Sequence, residues 1–85
     1  MPVLSRFLGI VIAMYFDDHN PPHFHAKYGG LEAEVEIESG KIFGFLPPRV
    51  LAIVQEWREL HKTELLENWS RCQLHQEIVS IAPLE

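Results

Sequence analysis

Thiol chemistry is nearly absent from this chain: Cys72 is the one cysteine in 85 residues. An intrachain disulfide is therefore excluded, and neither a CxxC pair nor a Cys/His ribbon can be spelled. Such cysteine usage suits a reducing compartment, and a cytoplasmic protein is expected. Basic residues are also scarce, 7 Lys and Arg against 12 Asp and Glu, and the formal net charge of -5 disfavours nucleic acid as a bulk ligand. A local basic patch around Arg49 and Arg58 stays open. No apolar run approaches the roughly 20 residues that cross a bilayer, and no membrane association is expected. The stretch from Phe7 to Phe16 is apolar enough for a signal segment but lacks an A-x-A cleavage pattern, so it reads as a strand. Missing too are a glycine-rich phosphate loop, an HExxH helix and a legible Ser-His-Asp arrangement, while Cys72 sits in a polar tail without an activating partner. These gaps remove the nucleotide-binding, serine-nucleophile and cysteine-nucleophile classes.

What remains is an ordinary globular composition, with 47% hydrophobic and 22% charged residues, in one small domain spanning 1–85. A chain of this length buries about 60 to 65% of its unfolded surface, enough for one modest core. Gly9 to Phe16 (GIVIAMYF) is rich in β-branched and aromatic residues, as befits a strand covered on both faces. HFHAKY and LEAEVEIE both alternate and flank Gly29-Gly30, a two-residue hairpin signal. That turn pairs Tyr28 with Leu31, Lys27 with Glu32, Ala26 with Ala33, His25 with Glu34, Phe24 with Val35 and His23 with Glu36. One face of the hairpin is apolar, and the other carries Lys27, His25, His23 and glutamates.

Ser39-Gly40 reads as a second tight turn into a strand over 41–46, with Phe43 opposite Glu36 and Phe45 opposite Glu34 if the turn has two residues. Pro47-Pro48 then starts a helix that runs to about Asn68. Its stripe of Val50, Ile53, Val54, Trp57, Leu60 and Leu65 should cover the sheet, with His61, Glu64 and Asn68 on the same side. Residues 70–77 read as a loop and Ile78 to Ile81 as a short edge strand. The expected fold is thus α+β: an antiparallel β-meander of three to four strands with one long α-helix packed on one face. Such a sheet leaves edges unprotected, and a homodimer is expected from them.

Three of the five histidines fall within seven positions of the segment DDHNPPHFHAKYGG. His23 and His25 share a strand face with Glu34 and Glu36 opposite, and His19 stands in the preceding loop. Together they offer nitrogen and oxygen donors to a divalent metal such as zinc, iron or manganese, with His19, His23 and His25 as the metal set. The same residues also permit metal-free acid-base work, since imidazole exchanges protons near neutrality. Because the helix stripe faces the sheet and the Asp17–Pro22 loop lies at a sheet end, His61 should approach His19 or His23. His19, His23 and His61 are then the candidate catalytic residues, supported by Asp18, Asn20, Glu34, Glu36, Glu64 and Asn68. A plainer reading is that the cross-strand His-Glu pairs only stabilise the sheet, by about 0.2 to 1 kcal/mol each.

SRFLGIVIAMYF, DHNPPHFHAKYG, EWRELHKTELLENW and the terminal IAPL resemble the short bacterial proteins grouped as domain of unknown function 4160, over nearly the whole chain from Ser5 to Leu84. The motif positions in the resemblance are His19 to His25, Trp57, His61, Asn68 and Trp69; one departure is Gly29-Gly30, where relatives more often carry a single glycine. The resemblance implies no established reaction. It does imply a second small protein encoded nearby, of domain of unknown function 2442, and hence a protein that acts through a partner in a toxin-antitoxin-like module. The histidine block is then its active or contact surface. The alternative is a metal- or histidine-dependent hydrolase, a nuclease among them.

Overall fold

Period-two alternation on either side of the two-residue turn at Gly29-Gly30 generates the central hairpin of the sheet. The computed structural model describes residues 2–84: β1 (Val3–Phe7), β2 (Ile10–Ala13), β3 (His23–Tyr28), β4 (Leu31–Glu36), β5 (Ile42–Gly44), α1 (Pro48–Leu60) and α2 (Lys62–Gln73). The strands form one antiparallel sheet in the order β1-β2-β3-β4-β5. The architecture is α+β, but with five strands instead of three or four and two helices instead of one.

The additional strand is β1, which hairpins onto β2 through Leu8 (φ 51°) and Gly9 (φ 79°), both left-handed as a tight hairpin turn requires. Its pairing shifts between Val3 and Ser5, and this irregularity breaks the alternation that would have announced it. The expected strand over Gly9–Phe16 is shorter, because Gly9 belongs to the turn and the chain leaves the sheet after Ala13. The β3-β4 hairpin has all six pairs expected across Gly29-Gly30. At β5 the register differs: Phe43 lies opposite Glu34 and not Glu36, since the β4-β5 connection is longer than two residues and closes with the Glu36 N–H on the Lys41 carbonyl. Phe43 and Phe45 are both largely exposed.

The helices cover the face of the sheet that presents Ile12, Phe24, Ala26, Ala33 and Val35. Trp57 of α1 sits at its centre, 5.5 Å from the Phe7 ring and edge-on to Phe24 at 5.8 Å. The single expected helix is interrupted at His61 (φ -119°, ψ 23°) and its second part extends to Gln73, so 70–73 are helical and not loop. With the stripe reset there, Leu60 faces solvent. Arg58 is buried, its Nη1 donating to the Ile37 carbonyl at 2.7 Å and its Nε to Gln55 Oε1 at 2.7 Å, so it docks α1 on the β4-β5 turn and offers no phosphate patch.

Residues 78–81 form no strand. The tail is nonetheless tied down by the Ile81 N–H on the Leu4 carbonyl (2.9 Å), by Trp57 Nε1 donating to the Ala82 carbonyl (2.9 Å), and by Asn68. Asn68 is buried and brackets Val79, giving Nδ2–H to its carbonyl at 2.9 Å and accepting its N–H at Oδ1 at 2.8 Å. The edges on which a homodimer was expected are accordingly a three-residue strand and a strand met by the tail. Burial pushes the Cys72 thiol up from its ordinary pKa. Among the described residues no helix is long and apolar enough to cross a membrane.

Gly44 closes β5 at φ 111°, and a Cβ there would stand 2.6 Å from the Glu32 carbonyl oxygen. Gly44→Ala should cost about 1 to 3 kcal/mol of unfolding free energy. Gly30→Ala, where nothing lies within 4 Å, should stay within about 0.5 kcal/mol. Urea unfolding of both variants measures the contrast.

Candidate metal centre

On β3 the alternation sends Phe24 and Ala26 toward the helices and His23, His25 and Lys27 to the opposite face. His23 is only 3% exposed, because the strand end is covered by Trp69 of α2, whose ring centroid lies 5.2 Å from the imidazole, and by His19 at 4.9 Å. His25 is capped by Tyr15, edge-on at 4.6 Å. The Tyr15 hydroxyl accepts from the Lys27 ammonium at 2.8 Å, and that hydrogen bond raises the lysine pKa.

The partners of the two rings decide which nitrogens are free. His23 Nδ1 faces the Pro21 carbonyl oxygen at 2.9 Å, and a carbonyl only accepts, so Nδ1 carries the proton. His25 Nδ1 faces Glu32 Oε2 at 2.9 Å, where an ionised carboxylate imposes the same tautomer. In the neutral rings both Nε2 lone pairs are then bare, and both point to one place. Asp18 Oδ2 lies 2.9 Å from His23 Nε2 and 3.2 Å from His25 Nε2, while Glu34 Oε1 lies 3.3 and 3.9 Å from the same atoms. The ligand atoms of Asp18, His23, His25 and Glu34 all fall within 4.8 Å of one another.

Four acceptors at such spacing repel unless positive charge stands between them. Either both rings take a second proton, or a cation binds. Tetrahedral bonds of about 2.0 to 2.1 Å place ligand atoms about 3.4 Å apart, close to the distances found here. The Nδ1 partners, a carbonyl and a carboxylate, are those that orient metal-ligating imidazoles. In the state where the rings carry the second proton, burial pushes the Asp18 pKa up, but the hydrogen bonds from His25 and the His19 N–H and the charge of His23 outweigh it, and the net shift is downward. The loop carrying Asp18 is held from the end of α2 and the residues just beyond it: Gln73 Nε2 donates to the Asp18 carbonyl at 3.3 Å, and His75 pairs with Asp17 at 2.9 Å.

The residues expected to form a site divide accordingly. Asp18, His23, His25 and Glu34 converge. His19 flanks them, largely exposed, with Nδ1 3.0 Å from Asp18 Oδ1. Glu36 lines the adjoining cleft, and its Oε1 accepts from the Ser39 hydroxyl at 2.7 Å. Asn20 is exposed on the loop, outside the cluster. His61 pairs with Glu64 at 2.6 Å and packs at a tilt against Trp57, ring centroids 5.4 Å apart. Among the described residues no hydrogen bond, ion pair or ring contact joins it to His19, His23 or His25. His25 belongs to the cluster and His61 does not, because the sheet lies between the helix-covered face and the histidine face. Asn68 supports the tail instead. Two contributors escaped the sequence reading: Glu32, which reaches diagonally across the strands to His25, a neighbour relation that sheets allow, and Tyr15, which no periodic signal places.

A family model described as a domain of unknown function (DUF4160) matches residues 9–70, a span that holds the four converging residues. No curated protein and no solved structure matches the chain.

A carboxyl with a lowered pKa contributes stability that is complete above its ordinary value, 3.8 for Asp18, and that is lost as pH falls through the folded-state value. In chelating buffer, Asp18→Asn should lower stability at about pH 6 by about 1 to 3 kcal/mol, the worth of hydrogen bonds to a charged group. The two proteins should converge as pH falls through the folded-state value, and urea midpoints from about pH 6 downward provide the check.

Proposed function

We propose that this chain, which belongs to the DUF4160 family, is a small divalent-metal-dependent hydrolase. The observation that carries the reading is the convergence of two tautomer-locked imidazoles on two carboxylates. Asp18, His23 and His25 hold the metal; the mixed nitrogen and oxygen set suits zinc, manganese or iron. When bound, the metal supplies Lewis-acid polarisation of a carbonyl or of water. Glu34, about 30% exposed and farther from His25 Nε2 than Asp18 is, 3.9 against 3.2 Å, serves as fourth donor or as the base that takes a proton from water. His19, on the solvent side, offers an exit to solvent for the proton that the product acid releases.

A cleft of about 190 Å³ adjoins the donors, lined by His19, Pro21, His23, Glu34, Glu36 and Phe43. Its carboxylates disfavour a polyanion, so the nuclease form of this reading is the weaker one. Lys27 is engaged by Tyr15, and Arg49 lines a different groove with Leu8 and Tyr28. We assign the small protein partner implied by the family resemblance to the mouth of this cleft, where Phe43 stands exposed. A toxin-antitoxin-like pairing then amounts to covering or uncovering the metal centre.

Elemental analysis after zinc or manganese loading should find one metal per chain, retained in His61→Ala and lost in His25→Ala. Glu32→Gln, which removes the charge holding His25 Nδ1, should weaken metal affinity about 10- to 100-fold. A folded chain that takes up neither metal at micromolar concentrations would contradict the proposal.

A further inference from the structure

We infer that the cleft beside the metal donors accepts short amides or esters that carry a cationic amine. The inference rests on the metal-hydrolase reading above and adds to it the charge and size of the substrate. Three features of the cleft lead to it.

Glu36 stands directly across the strand pair from His23, and such partners have Cβ atoms about 4.5 to 5.5 Å apart. A group held by the Glu36 carboxylate is therefore one short alkyl chain away from a carbonyl placed at the donors. The carboxylate is also oriented, since Ser39 donates its hydroxyl to Oε1 at 2.7 Å and Oε2 is left for a ligand. A substrate ammonium or guanidinium at Glu36 meets a fixed acceptor.

The second feature is Phe43, which lies opposite Glu34 in the β4-β5 pair and forms an apolar wall of the cleft with Pro21. It is 47% exposed. The Lys41 ammonium already stands 5.2 Å from its centroid, an example within the fold of the cation-on-ring contact that a substrate amine would make with the ring. Charge is the third feature. Among the described residues the lining contains two glutamates and no lysine or arginine, and Glu32 and Asp18 add further negative charge beside it, against the single positive charge of Lys41 on the Phe43 ring. One divalent ion offsets only part of this, so anionic substrates are repelled and cationic ones attracted. The volume of about 190 Å³ lies below the about 300 to 1,000 Å³ of sites for drug-sized ligands, which limits the substrate to a short molecule.

In the reaction the oxygen of water adds to the acyl carbon and the C–N bond of the amide, or the C–O bond of the ester, breaks. The proton taken up by Glu34 passes to the departing nitrogen or oxygen. The products are a carboxylic acid and an amine or alcohol, with no redox change.

Three hydroxamates of equal length test the inference on zinc-loaded chain: pentanohydroxamate, 4-aminobutanohydroxamate and the monohydroxamate of succinic acid. Each carries the same metal-directed head group, and only the tail charge differs. Titration calorimetry should rank the amine first, about tenfold tighter than the neutral probe, and the acid last. Glu36→Gln should bring the amine down to the neutral value while zinc content stays at one per chain. Equal binding of all three probes to a chain that holds zinc would overturn the substrate class and leave the metal centre standing. A chain that holds no zinc and binds no hydroxamate would overturn the metal reading and the inference together.

Discussion

The alternation of side chains along β3 is the constraint on which both faces of the molecule depend. β3 is the middle of five strands, and its successive residues serve opposite purposes. Phe24 and Ala26 lie under Trp57, while His23, His25 and Lys27 stand on the other side. A slip of one residue would bury the imidazoles beneath the helices and expose the phenylalanine. The turn at Gly29, with φ 58°, and the six matched pairs of the hairpin prevent that slip. The chemistry of one face and the stability of the other are two readings of a single register.

The same alternation explains what could be read in advance. The β3-β4 hairpin was legible because its pattern and its turn agree, and with it came His23, His25 and Glu34 on one face. β1 was not, because its irregularity at Leu4 interrupts the pattern. The helix break at His61 carries no glycine or proline to mark it. Its stripe was correctly turned toward the sheet, yet toward the face away from the histidines, so His61 meets Trp57. Where α2 does reach the cluster, at the sheet end, the residue that arrives is Trp69. Asp18 was named only as support, since nothing in a loop sequence tells which of two adjacent aspartates folds back. Asp18 does so, and Asp17 pairs outward with His75.

Charge distribution links the composition to the site. Asp18, Glu32, Glu34 and Glu36 are four of the chain's 12 acids, and all stand around two imidazoles. The helix-covered face is satisfied by other means: Arg58 and Asn68 are buried there against backbone groups and fasten a turn and a tail. Polar residues inside this small domain thus have separable duties. Those on the helices hold segments in place, and those on the open face of the sheet hold one another.

Every donor of the cluster lies within the first 36 residues of the chain, as do the Pro21 carbonyl and the Glu32 carboxylate that orient the rings, whereas two groups that enclose the cluster come from later in the chain: Trp69 against His23 and Gln73 on the Asp18 carbonyl. A growing chain that has completed β4 therefore carries all four ligand atoms without the helix that encloses them. The hairpins close through contacts local in sequence, and the contact between Asp18 and Gln73 closes a much longer loop, whose entropy cost is higher. The register of the histidines and Glu34 thus depends on contacts local in the chain, whereas the enclosure of the cluster depends on contacts that join its two halves.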